Sequence, residues 1–126
     1  MKKLLLILML VPMFGISQAR LGSTRAELFD EFAQYFPKFE SPINGEPHMH
    51  FEMERALVIH YFNRENICVL SVISPKNQGD LNFFVEMYNN QYVIVSSTEW
   101  RMYSENGNIA TVELVSNKGT TFFIWK

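Results

Sequence analysis

From residue 48 onward, apolar and polar side chains alternate in one short stretch after another, and only once does the pattern lengthen to the period of a helix. A period of two sends successive side chains to opposite faces of a strand, so a chain dominated by such stretches must pair them into a sheet with one buried face. The stretches predict strands over 48 to 54, 56 to 62, 67 to 74, 92 to 103 with a break near Ser96-Ser97, 109 to 116, and 120 to 125. Asn106-Gly107 is a strong hairpin signal, because both central positions of a type I′ turn need positive φ. Gly119 in "SNKGTT" serves the next reversal.

Two segments break the alternation. "STRAELFDEFAQYFP" offers Thr24 as an N-cap and Glu27 as its capping-box partner, with Pro37 ending the run. Leu28, Phe32, Tyr35 and Phe36 fall on one helical face, which Phe29 widens. In "LNFFVEMYNN", Asp80 is the expected cap, and Leu81, Phe84, Val85 and Tyr88 form a stripe at i, i+3, i+4 and i+7. This stripe reads as core. The order is therefore helix, three strands, helix, three strands. It is an architectural echo of duplication without a constant residue offset. It predicts a two-layer α+β domain whose antiparallel sheet carries both helices packed on one face and leaves the other open to solvent or a partner.

The first residues, "MKKLLLILMLVPMFGISQAR", combine Lys2 and Lys3, an apolar run from Leu4 to Ile16 and a small-x-small ending at Ala19. That is the layout of a cleavable secretory signal, and the run falls short of the about 20 apolar residues a membrane span needs. The expectation is a signal peptide over 1–19 and one domain over 20–126, exported and then periplasmic or secreted, with no stable membrane insertion. Loss of Lys2 and Lys3 lowers Lys+Arg from 11 to 9 against 13 Asp+Glu, so the formal net charge moves from −2 to −4. An acidic balance without a basic run excludes nucleic acid and anionic lipid as main partners. Cys68 is the sole cysteine, so no intrachain disulfide is available. With Leu70 and Val72 placed on its strand face, it reads as a small buried hydrophobe.

"LGSTRAELFDEF" is a Gly-Ser/Thr turn opening a short acidic helix near the start of a small exported chain. It resembles the opening of the outer-membrane assembly lipoprotein family BamE/SmpA. The order of a helix followed by antiparallel strands is similar to the β-lactamase-inhibitor-like fold with which that family is compared. This chain departs from the family in lacking a cysteine for lipid attachment and in its predicted count of six strands and two helices. The resemblance carries over no site residue. It implies an exported protein that binds other proteins.

The sharpest chemical signal is "EPHMHFEMER". Alternation assigns Met49, Phe51 and Met53 to the inner face and His48, His50, Glu52 and Glu54 to the outer one. Two imidazoles on one strand face, roughly 7 Å apart along the backbone, suit zinc or another divalent metal. The candidate third ligands are Glu52 on the same strand and His60 on the next, where a register slip of one residue turns His60 away. The competing reading is the wet face of a half-exposed strand, with no cofactor. No Gly-x-Ser-x-Gly turn is present, and the carboxylate pairs Asp30-Glu31 and Glu52/Glu54 read as solvated faces, so serine-nucleophile and glycosidase schemes find no support, and the alternative function is a metal-dependent enzyme or metal-binding protein using His48 and His50. On the strand around Trp100, Thr98, Trp100 and Met102 share the core face, and Glu99, Arg101 and Tyr103 the other. Arg and Tyr are enriched at interfaces, which makes this second set the candidate interaction surface. The resulting expectation is a non-catalytic domain whose partner is another envelope or extracellular protein.

Overall fold

The computed structural model describes residues 20–103 and 107–126. The expected signal peptide over 1–19 and Asn106 of the hairpin signal lie outside the described residues. In chain order the elements are α1 (Arg25–Glu31), a 3₁₀ turn (Ala33–Tyr35), β1 (Lys38–Glu40), β2 (His48–Glu52), β3 (Ala56–Phe62) and β4 (Cys68–Pro75). They continue with α2 (Gln78–Gln91), β5 (Val93–Ser96), β6 (Glu99–Tyr103), β7 (Ile109–Asn117) and β8 (Thr120–Trp125).

The expected two-layer α+β domain with helices packed on one face and six strands is overturned. Among the described residues the fold is mostly β, 23% helical and 47% strand, with one eight-stranded antiparallel sheet and two α-helices. Two local events raise the strand count. Lys38–Glu40, which reads in sequence as part of a connection, pairs with β2. The long 92–103 stretch divides at Ser96–Thr98 into β5 and β6, close to the expected break. The first helix is also shorter than its apolar stripe suggests. α1 ends at Glu31, and Phe36 takes a left-handed conformation (φ 53°, ψ 58°) ahead of Pro37, leaving its ring 83% exposed. A proline disfavours helical geometry in the residue before it, which helps explain why the helix cannot carry Phe36 onto its buried stripe.

The sheet order is β1-β2-β3-β4-β8-β7-β6-β5. Each half is thus a helix followed by a four-strand meander, and the two meanders meet through their last strands, β4 and β8. The β7–β8 reversal uses Lys118 and Gly119, both at positive φ (52° and 83°), which is the backbone of a type I′ turn.

The buried face holds two aromatic groups. In the first half the Phe32 ring stacks on Phe51 at 4.7 Å and lies 5.9 Å from His60. In the second, the fully buried Tyr88 makes edge contacts with Trp100, Phe123 and Trp125 at 4.9–5.7 Å. The indole N–H groups are satisfied: Trp100 Nε1 donates to Asn89 Oδ1 at 2.7 Å and Trp125 Nε1 donates to the Tyr88 hydroxyl at 3.3 Å.

Both helices are capped by side chains. Thr24 and Glu27 form the expected capping box. For α2 the cap is Asn77, whose Oδ1 accepts from the Asp80 amide; Asp80 itself sits in the first turn and pairs with Arg55 at 3.2 Å. The Cys68 face is also corrected. A register shift between Tyr61 and Phe62 pairs Phe62 with Cys68 and Tyr61 with Leu70, so Cys68 shares the buried face with Ser71 and Ile73 rather than with Leu70 and Val72.

Candidate functional site

The antiparallel register of β1 and β2 sets Glu40 opposite His48 and Lys38 opposite His50. All four belong to the open face, because Phe39 and Met49, one residue on, pair on the buried side. A residue opposite one partner also reaches that partner's i±2 neighbour diagonally, and the Glu40 carboxylate does so. Its Oε2 lies 3.3 Å from His48 Nε2 and its Oε1 3.4 Å from His50 Nε2. The three ligand atoms all fall within 4.8 Å of one another.

A contact behind the cluster orients one ring. His48 Nδ1 lies 3.0 Å from the Glu46 carbonyl oxygen. A carbonyl only accepts, so Nδ1 donates to it, which leaves Nε2 as the ring nitrogen that faces Glu40. Ligating histidines are usually held this way, by the ring nitrogen that faces away from the metal. A groove of about 640 Å³ opens beside the cluster, with Tyr35, Phe36, Phe51 and Leu57 in its wall.

The other expected ligands go elsewhere. Register pairs His60 with Met49, which places it on the buried face with no exposure, away from His48 and His50. Glu52 is on the open face, but its side chain is 68% exposed and lies 3.7 Å from Lys76 Nζ. Glu40, the third member of the cluster, falls in the "KFESPINGEP" segment that reads as a connection. The short alternation Lys38-Phe39-Glu40 is the signal that reveals it.

His60 belongs to a buried polar trio instead. Its Nδ1 lies 2.7 Å from Ser71 Oγ, and Cys68 Sγ lies 3.7 Å from the same nitrogen and 3.5 Å from Ser71 Oγ. Among the described residues, His60 Nε2 is buried without a hydrogen-bond partner. Burial pushes the His60 pKa down to about 4, with Arg20 adding to the effect, and pushes the Cys68 thiol up. A neutral imidazole and a protonated thiol inside a closed core have no access to substrate, so the trio is packing rather than a nucleophile and its base.

Glu99, Arg101 and Tyr103 share the open face, as alternation requires, at the far end of the sheet from the histidines. Register adds two apolar neighbours, Val93 opposite Arg101 and Ile109 opposite Tyr103. Arg101 Nη2 lies 3.5 Å from Glu99 Oε2, and hydrogen bonding to Tyr103, followed by the Glu99 charge, raises the guanidinium pKa.

Comparison of the chain with protein-family models, with curated proteins and with solved structures finds no match in any of the three. The likeness to BamE/SmpA therefore rests on residues 21–32 alone.

Proposed function

We propose that this is an exported, non-catalytic binding domain that engages another exported protein through the open face of its sheet around Arg101 and Tyr103. The observation that carries the reading is the exposure of three apolar side chains in register around one guanidinium. Val93 is 52% exposed, Tyr103 54% and Ile109 57%. A contiguous apolar patch with Tyr and Arg at its centre has the composition of an interface core. The neighbouring carboxylates of Glu99 and Glu113 favour a protein surface over an anionic lipid one. Among the described residues no helix is long and apolar enough to cross a membrane.

A photo-cross-linking amino acid at position 109 tests the reading in cells, with position 82 on α2 as the control. The expected result is one defined heterologous adduct from position 109 alone, lost when Tyr103→Glu is added while the thermal melt stays unchanged. Absence of any adduct, or an adduct between two copies of this chain, overturns it.

A further inference from the structure

We infer that Glu40, His48 and His50 form a binding site for a zinc-like divalent transition metal that clips the edge strand β1 to β2. The site lies at the opposite end of the sheet from Arg101 and operates whether or not a protein docks there.

The separations fit coordination better than hydrogen bonding. Both Nε2–carboxylate distances, 3.3 and 3.4 Å, exceed the about 2.7–2.9 Å of a charge-assisted N–H···O bond. They match the edge of a tetrahedron around zinc, which is about 3.4 Å for ligands roughly 2.1 Å from the ion. The limit of 4.8 Å among the ligand atoms leaves at most about 1.4 Å of closure between the two imidazoles, which small ring rotations supply.

The donor set is two imidazole nitrogens and one carboxylate, which suits zinc and its late first-row neighbours over calcium or magnesium. The Glu46 carbonyl accepts from His48 Nδ1, the nitrogen that faces away from the ion, and so fixes that ring. Solvent reaches the site: the His48, His50 and Glu40 side chains are 20%, 38% and 58% exposed. The fourth position is therefore open to water or to a donor from a partner.

The site has a structural consequence, because β1 is a three-residue edge strand and Glu40 is its last residue. Short edge strands hold few ladder hydrogen bonds and open easily. An ion shared by Glu40 and the two β2 histidines ties that strand down and closes the connection between them.

Zinc titration of the untagged protein by calorimetry, with cobalt absorption as a spectroscopic reporter, tests the site. One ion per chain is expected, with hydrogen-exchange protection rising at the β1 amides. Glu40→Gln and His50→Gln should each weaken binding by about 100-fold or more, beyond the about 10–100-fold typical of losing a group that only hydrogen-bonds to a ligand. Glu52→Gln should change nothing. Because Glu40 is a surface residue, its variant should keep the wild-type melt, which separates loss of the ligand from loss of the fold. Failure to bind one ion per chain, or equal binding by wild type and Glu40→Gln, overturns the inference.

Discussion

The two halves of the sheet share a plan, a helix and a four-strand meander, yet they fill their cores differently. The second half buries Tyr88 against Trp100, Phe123 and Trp125, and each indole N–H has an acceptor. Its helix α2 has 14 residues. The first half has a seven-residue helix and packs Phe32 and Phe51 around a His60–Ser71–Cys68 trio in which one buried nitrogen has no partner. An unsatisfied buried polar group costs about 1–3 kcal/mol. The same backbone arrangement thus yields one half held by satisfied aromatic packing and another carrying a polar cost. Stability and its response to pH should divide along that line.

The largest effect belongs to the second half. Tyr88→Ala removes a fully buried ring and the acceptor of Trp125 Nε1, and should cost about 3–5 kcal/mol in denaturant unfolding. A loss under about 1 kcal/mol would mean that the aromatic cluster is not the centre of that core.

The next effect is confined to the first half and depends on pH. His60 ordinarily titrates near 6.5 and falls to about 4 when folded, so between those values the unfolded chain binds the extra proton. Stability contributed by the neutral buried ring is complete above pH 6.5 and is lost as pH falls toward 4. The full shift corresponds to roughly 3 kcal/mol. Melts of wild type and His60→Phe across that range measure it; equal slopes for the two proteins would break the comparison.

The smallest effect probes the helices. Thr24→Ala removes the hydroxyl that accepts from the Glu27 amide, one half of a reciprocal cap on a helix with only seven residues, and should cost about 1 kcal/mol. Asn77→Ala on the longer α2 removes a single side-chain acceptor and provides the paired measurement. A greater loss at Asn77 would reverse the view of α1 as the more cap-dependent helix.

Much of this was legible before the fold was known. Thr24 and Glu27 specify a helix start because capping is a contact between residues three apart. The alternation in "HMHFE" sorts Met49 and Phe51 inward and both histidines outward, since a strand's faces follow from its own period. Glu99, Arg101 and Tyr103 fall on one face for the same reason. The α2 stripe is legible too, because Phe84 and Tyr88 lie one turn apart on the same helical face and are both buried.

What the sequence could not determine depended on pairing. Whether His60 joins the other histidines turns on a shift of one residue, and the Met49–His60 register sends it into the core. The displaced partners at Tyr61 and Phe62 reassign the face of Cys68, although the local pattern around it is unbroken. Glu40 becomes a neighbour of His48 because a three-residue segment finds an edge to pair with, and that edge lies ten residues away in sequence as counted from Glu40 to His50. Local periodicity is written in the order of side chains and decides what each strand shows to either side. Strand number, register and the company that each exposed group keeps arise from hydrogen bonds between segments, which only the assembled sheet decides.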